Sequence, residues 1–342
     1  MAFASIGIYW ILTLVNMQQW HSLLLALAMF AFPYSTFGCD ICGCGSGSNP
    51  LGLLPLMQRH SLGMRYSSQV YYTTPHGSGR TSNEAFQTLE LSGRYQLNRR
   101  TQFFASIPYK WNNRYFEDQS RQHAQALSDV SWSMQYQLFD SARPLATGLQ
   151  HQLLGSIGMK LPTGPFDVED NEGRLLNFNL QPGSGSYWMT AGIIHALTYQ
   201  SWGILQSVEG AFSNRNPNGY QKGSSFQYGC RLFYQKKCRN GALLPQLGLQ
   251  WERSGVDKEL SGSISESGGR LALLNSGVDV LWKQWMLGFQ FSLPIRDHLA
   301  RGYVAAGPRW SISTTYFIGK KTKKTPTISI PGPTDWVQPI TI

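Results

Sequence analysis

The sequence predicts an all-β fold, a transmembrane antiparallel up-and-down β-barrel of about twelve strands. Segments of roughly 9–11 residues, the length of a tilted spanning strand, alternate apolar and polar side chains. The connections between these segments alternate between short and long. Beyond residue 38, no apolar run reaches the roughly 18 residues that a membrane-spanning helix needs.

The clearest strand is residues 130–138, where one face carries Val, Trp, Met, Tyr and Leu and the other carries Ser and Gln. A strand places successive side chains on opposite faces, so the segment has one apolar and one polar wall. Across the chain, the apolar walls are rich in aromatics and the polar walls carry charges. This combination favours a closed barrel with lipid outside and water inside over a soluble sandwich.

The same alternation marks each predicted strand. In chain order these are 62–72, 89–97, 103–111, 130–138, 145–161, 187–199, 204–212, 226–234, 247–251, a tenth strand that ends with 278–282, then 285–293 and 310–318.

The connections give an independent indication of the same fold. The short ones are 98–100, 140–144, 200–201, 235–241 and 283–284, and the long ones are 74–84, 112–126, 163–186, 213–224 and 253–269. Only 297–302 is short where a long loop is due. Short periplasmic turns and long extracellular loops are typical of Gram-negative outer-membrane barrels. An even strand count then predicts that both termini are periplasmic.

The chain divides into four predicted regions. Residues 1–38 resemble a secretory signal with an apolar block at 23–32, and initiation at Met17 would leave a leader of ordinary length. Residues 39–61 form a Cys- and Gly-rich periplasmic segment, 62–318 the barrel, and 319–342 a basic, proline-containing tail.

The composition restricts the partners. The net charge is +10, but no basic stripe with interleaved aromatics indicates a nucleic-acid surface. We expect outer-membrane lipid and a small-molecule solute as partners, with no nucleic acid. A periplasmic partner at the N-terminal segment or the tail is a further hypothesis.

Residues on the face of each strand opposite to the apolar wall are predicted to point into the lumen. The charged ones are Arg65, Glu90, Arg94, Lys110, Asp129, Lys160, Arg231, Glu252, Asp279 and Arg296. Charges of both signs inside a barrel line an aqueous path or pair with one another. We expect a narrow, partly plugged channel, and the alternative is a lumen packed with salt bridges that passes nothing.

Two short motifs resemble those of a known family. Gly158–Gly164 reads GMKLPTG, and residues 180–186 read LQPGSGS. In order, the motif residues are Lys160, Leu161, Pro162, Thr163, Gly164, Gln181, Pro182 and Gly183. The pattern is similar to that of outer-membrane transporters named after the meta pathway of phenol degradation. The resemblance implies a barrel related to hydrocarbon-uptake channels, and transport without a named cargo.

A cluster of thiols follows the predicted leader in the sequence Cys-Asp-Ile-Cys-Gly-Cys at 39–44. It resembles a CDxCGC-type start on outer-membrane proteins of Bacteroidetes-like bacteria. Cys39, Cys42 and Cys44, completed by Cys238, are candidate ligands for Cu(I) or zinc. The alternatives are a disulfide between two of the three N-terminal thiols or a lipid on Cys39.

The functional prediction is a channel for passive passage of small molecules, including hydrophobic or aromatic ones. The alternative is a copper- or zinc-handling surface protein with the barrel as anchor. We identify no catalytic residue and expect no enzyme, because the barrel region has no Walker, HExxH or GxSxG motif. His151 and His195 share the outward phase of adjacent strands, where interfacial packing competes with a metal or lipid-surface site.

Overall fold

A computed structural model of the chain describes residues 59–74, 80–141 and 149–319. The strands are β1 (Ser61–Thr73), β2 (Ser82–Gln96), β3 (Thr101–Phe116), β4 (Arg121–Leu127), β5 (Ser131–Asp140), β6 (Leu149–Lys160), β7 (Trp188–Tyr199), β8 (Trp202–Ser213), β9 (Ser225–Tyr234), β10 (Lys236–Cys238), β11 (Gly241–Ser254), β12 (Lys258–Glu259), β13 (Gly262–Ser263), β14 (Gly269–Trp282), β15 (Trp285–Leu299) and β16 (Val304–Phe317). Short 3-10 turns occur at Phe178–Leu180 and Ala300–Gly302. The predicted leader, the residues 39–58 with their thiols, and the tail from 320 onward lie outside the described residues.

The strands close into a barrel. Neighbouring strands pair antiparallel in sequence order, and β16 pairs back onto β1, with Ser61 opposite Phe317. β4 and β5 occupy one position in the wall, since both pair with β3. β9 and β11 pair directly. The described chain therefore forms the twelve-stranded antiparallel barrel that the sequence predicts.

The barrel has two distinct ends. Two-residue turns at Gln200 and Lys283, each with a positive φ, close hairpins at the end where the described chain starts and finishes. We call this the short-turn end. The other, long-loop end carries the connections 161–187, 214–224 and 255–268. No helix among the described residues is long and apolar enough to cross a membrane.

Two predicted loops contain more regular structure than the sequence indicates. Residues 112–126 form a hairpin, because β3 runs on to Phe116 and β4 returns from Arg121. Residues 253–269 contain the small hairpin of β12 and β13. Arg114 donates to the buried carboxylate of Glu84 at 2.8 Å, so this polar segment is held as strand without an apolar face.

A belt of exposed apolar side chains surrounds the outside of the barrel. It includes Leu91, which pairs with Met64 on one side and Ile107 on the other, and all three are exposed. Aromatic rings gather at the short-turn end, where Trp202 contacts Tyr234 with ring centroids 4.9 Å apart. An apolar belt edged by aromatics is the exterior that a bilayer requires.

Two apolar clusters lie inside the barrel, one at each end. The floor cluster, at the short-turn end, comprises Leu154, Ile194, Ala196, Leu205, Phe233, Ala242, Leu244, Leu281, Met286 and Phe317. The cap cluster, at the long-loop end, comprises Tyr71, Phe86, Ala124, Leu176, Leu180, Leu271, Leu273, Leu299, Ala300 and Val304. The described lumen is therefore apolar at both ends, which simple polar-in alternation does not predict.

The belt gives a first prediction. Leu91→Lys places an ammonium group against acyl chains and should lower the free energy of unfolding by about 2–4 kcal/mol. The measurement is urea unfolding of the barrel in phospholipid vesicles. Leu260→Lys, the same change at an 80 % exposed loop residue outside the belt, is the matched control and should leave stability unchanged. Equal stability of the two variants would contradict a lipid-facing belt.

Candidate functional site

A polar chamber lies in the barrel between the two apolar clusters. Its volume is about 280 Å³, which suits one small molecule. Its described lining carries six cationic and four acidic side chains, which are Arg65, Arg94, Lys110, Lys160, Arg231, Arg309, Glu90, Asp129, Glu209 and Glu252. The chamber wall therefore has a modest excess of positive charge.

Ion pairs order much of this wall. Arg65 binds Glu90 on the adjacent strand at 2.9 Å, with both side chains about nine-tenths buried. Arg309 binds Glu252 at 2.8 Å and also donates to the hydroxyl of Tyr71 at 3.0 Å. Because removal of one partner would leave an uncompensated buried charge, these pairs hold the chamber in one arrangement.

The predicted lumen residues lie as follows. Eight of the ten line the chamber, namely Arg65, Glu90, Arg94, Lys110, Asp129, Lys160, Arg231 and Glu252. Asp279 is buried nearer the short-turn end and accepts a hydrogen bond from Gln246 at 3.0 Å. Arg309 and Glu209 also line the chamber but are not among the ten predicted lumen residues. Both lie on the predicted inward face of their strands, and this position is the sequence signal by which they could have been found.

Arg296 corrects the sequence prediction. The register between β14 and β15 shifts at this point, so that Leu273 lies opposite Pro294 and Ala272 opposite Arg296. The extra residue, Ile295, reverses the alternation. Arg296 consequently shares the face of Ala272, is exposed, and does not line the chamber.

The connection 161–187, which we call the plug loop, folds across the mouth of the barrel. It leaves the wall between β6 and β7, yet its Leu176 and Leu180 belong to the cap cluster with Tyr71 and Leu299. Those partners project from strands on the far side of the barrel. Leu180 is fully buried. The plug loop therefore covers the chamber at the long-loop end instead of standing above the rim.

One buried carboxylate fastens both ends of the plug loop. Asp129, in the join between β4 and β5, accepts from the backbone N–H of Gly164 at 3.0 Å. Its other oxygen accepts from the backbone N–H and the hydroxyl of Ser184, at 2.9 and 2.6 Å. The ammonium of Lys160 lies 3.7 Å away and also packs over the ring of Trp188. Hydrogen bonds to an ionised acceptor are the strong ones, so Asp129 is the main latch of this loop.

The two sequence motifs meet at this latch. Gly164 and Gly183 are in backbone contact, and a Cβ on Gly183 would overlap the Gly164 carbonyl. Only glycine permits this approach. The side chain of Gln181 donates to the carbonyls of Val168 and Leu176 and accepts from the N–H of Val168. The KLPTG and QPG segments are thus the two ends of one folded loop.

A second set of contacts holds the middle of the plug loop. Lys222, from the β8–β9 connection, donates to Asn179 at 2.9 Å and pairs with the buried Asp257 at 3.3 Å. Phe178 stacks on Tyr220 with ring centroids 3.8 Å apart. Asn112 of β3 donates to the carbonyl of Leu180 at 2.9 Å. The plug loop is therefore anchored to at least three separate parts of the barrel.

The tip of the plug loop is a turn organised by Asp170. The backbone N–H of Arg174 donates to its carboxylate at 3.0 Å and the N–H of Glu172 at 2.9 Å, which lowers the pKa of Asp170 below its ordinary value. The guanidinium of Arg174 contributes in the same direction. Since the depressed pKa favours the folded turn above the ordinary pKa of a carboxylate, this contribution is lost as the pH falls through the pKa of the folded state.

Comparison with known proteins rests on the fold. No protein-family model and no curated protein sequence matches the chain. The structure is similar to an outer membrane channel from Pseudomonas putida F1, with a TM-score of 0.57 and 11 % identity over 76 % of this chain and 96 % of that one. The chain therefore shares the fold of that barrel.

Two further solved barrels are less similar. The beta domain of the Bordetella autotransporter BrkA has a TM-score of 0.44 at 11 % identity, over 76 % of this chain and 100 % of that one. The monoaromatic hydrocarbon channel CymD has a TM-score of 0.40 at 10 % identity, over 84 % and 95 %.

Two further candidate sites, the His151–His195 pair and the thiol of Cys238, lie on the outside of the barrel. His151 and His195 meet as the strand pairing predicts, with ring nitrogens 3.4 Å apart. Cys238 is exposed at the short-turn end, whereas Cys39, Cys42 and Cys44 lie outside the described residues. Among the residues the structure describes, no group of three potential metal ligands occurs. A copper or zinc site remains a sequence prediction without structural support.

The latch gives a second prediction. Asp129→Asn keeps the shape of the side chain but removes its charge. Its amide NH₂ also replaces one of the two acceptor oxygens that now face the N–H groups of Gly164 and Ser184. We expect the amides of Gly164 and Ser184 to lose roughly 1.5–3 kcal/mol of hydrogen-exchange protection, the value of hydrogen bonds to a charged group. Asp118→Asn, on the exposed 117–120 turn, is the control. Unchanged protection in Asp129→Asn would show that the latch lies elsewhere.

Proposed function

We propose that the protein is an outer-membrane channel for passive passage of small molecules, and that the plug loop gates it. The observation that carries the proposal is a chamber of about 280 Å³ inside a closed barrel, covered by a loop that one carboxylate fastens. A barrel serving only as an anchor has no need of a polar chamber or of a latched cover. The similarity to the P. putida channel supports the fold on which the proposal depends.

The proposed orientation places the short-turn end in the periplasm. The supporting observation is the contrast between two-residue turns at one end and connections of up to 27 residues, 161–187, at the other. Outer-membrane barrels carry their long connections outside the cell. Both ends of the barrel segment then lie on the periplasmic side, and the plug loop faces arriving solutes.

The proposed cargo is small molecules with an apolar or aromatic part. The cap and floor clusters give both ends of the described lumen an apolar lining. The chamber between them is polar, with a positive excess. A molecule that combines an apolar body with a polar or anionic group matches both environments better than a pure hydrocarbon, because desolvating the chamber charges without compensation is costly.

The gate has a specific physical basis. Release of the Asp129 latch would free Gly164 and Ser184 together, and with them both ends of the loop that carries Leu176 and Leu180. The cap cluster would then lose its two central members, and the mouth of the chamber would open. Stabilisation of the closed state by a small number of charged hydrogen bonds suits a transition with a free-energy difference of a few kcal/mol.

A third prediction tests channel activity. In planar bilayers, the wild-type protein should give small or infrequent conductance steps, and Asp129→Asn should increase open probability about tenfold or more, because losing roughly 1.5–3 kcal/mol shifts a two-state equilibrium by that factor. Deletion of residues 166–180, which leaves the eight motif residues in place, should give a constantly larger conductance.

The control is Asp118→Asn, which alters an exposed loop carboxylate at the same end of the barrel and should behave as wild type. Liposome swelling with small neutral and anionic solutes provides a second measurement. If the loop deletion folds as a barrel and still gives neither conductance nor solute flux, the channel proposal is wrong.

A further inference from the structure

The short-turn end is surrounded by exposed basic side chains. Outside the strand interiors, its described residues carry six exposed basic side chains and one exposed acidic one, Asp140; the basic ones, which we call the basic rim, are Arg99, Arg100, Lys236, Lys237, Arg239 and Lys283. They come from three separate turns, at 98–100, 236–239 and 283–284, and are therefore not gathered in one patch.

The long-loop end has a different charge balance. The plug loop alone carries four acidic residues and one basic one, which are Asp167, Glu169, Asp170, Glu172 and Arg174. Arg174 is paired with two of these acids and Arg80 with Asp118. Arg174 and Arg80 thus have acidic partners, and the described connections at this end carry more acidic than basic side chains, so the excess of cations is a property of the short-turn end.

The basic rim lies directly beside the aromatic rings of the belt. The ammonium of Lys283 packs over the exposed ring of Trp282 at 4.6 Å. At the same end of the barrel, Trp285 contacts Tyr316 and Trp202 contacts Tyr234, both with ring centroids 4.9 Å apart. Interfacial Trp and Tyr lie at the level of lipid headgroups, so the cations just beyond them lie at the level of the phosphates.

We propose that the basic rim binds the headgroups of anionic phospholipids in the leaflet at the short-turn end. A soluble acidic protein would need a contiguous patch, whereas a leaflet surrounds the barrel and can contact cations on several separate turns. Each Lys or Arg near an anionic leaflet favours the bound state about fivefold. The proposal requires that the barrel spans a membrane, as the proposed function does, but it does not require an open channel.

The turn Lys236-Lys237-Cys238-Arg239 holds three members of the basic rim. It lies where β10 pairs with the start of β11, beyond the last pairing of β9. This hairpin extends the wall at one point of the rim, and all its side chains are exposed. It presents three basic residues to one lipid neighbourhood. Its substitution should remove lipid contacts without disturbing the barrel.

The experiment compares unfolding equilibria of the full chain in two kinds of vesicle. One is phosphatidylcholine, and the other is phosphatidylcholine with a minor fraction of phosphatidylglycerol. We expect phosphatidylglycerol to raise the folded-to-unfolded ratio of the wild type at low salt, and high salt to abolish the gain. In Lys236→Gln/Lys237→Gln/Arg239→Gln this gain should be about a hundredfold smaller, because three charges worth about fivefold each are lost.

The control variant is Lys258→Gln/Arg296→Gln/Arg301→Gln, which removes the same charge from exposed positions at the long-loop end. It should retain the phosphatidylglycerol effect. Addition of soluble glycerol phosphate distinguishes a site for the free anion, which it would saturate, from a membrane surface, which it would not. Three results would overturn the proposal: equal losses in both triple variants, no phosphatidylglycerol effect in the wild type, or saturation by glycerol phosphate. Conductance of the same samples reports separately on the proposed function.

Discussion

The buried carboxylate of Asp129 is the interaction on which the organisation of the lumen depends. It receives N–H groups from Gly164 and Ser184, two residues at opposite ends of a connection that would otherwise extend into solvent. A carboxylate withdrawn from water is stable only with such donors around it. The same contacts supply the carboxylate with hydrogen-bond donors and anchor the loop to the barrel wall. The lumen is therefore covered by a defined structure and not by a disordered loop.

The plug loop determines what kind of interior the barrel has. A twelve-stranded barrel is wider than one that its own side chains fill, so its interior needs additional material or stays wet. Leu176 and Leu180 supply apolar material at the mouth, and the floor cluster supplies it at the other end. Between them, pairs such as Arg65–Glu90 and Arg309–Glu252 keep a polar chamber from collapsing. The interior is thus graded from apolar to polar to apolar along its axis.

Much of the wall follows from local pattern. The strand alternation correctly predicts twelve positions, and it places Arg65, Lys110 and Glu252 in the phase that lines the chamber. It fails at Arg296, because one extra residue in β15 reverses the phase, and a bulge leaves no clear mark on an alternating sequence. It also mistakes the hairpin at 112–126 for a loop, since polar strands beyond the belt have no apolar face to reveal them.

The sequence by itself determined which side chains face outward and which inward, because that choice depends only on the period of a strand and on the cost of placing charges in lipid. It also marked the KLPTG and QPG segments as special. Only the tertiary structure decided that these segments meet at Asp129 and that the plug loop turns inward to the far wall. Those contacts join residues tens of positions apart, so they depend on the closure of the barrel and on its width, and neither is encoded in any local pattern.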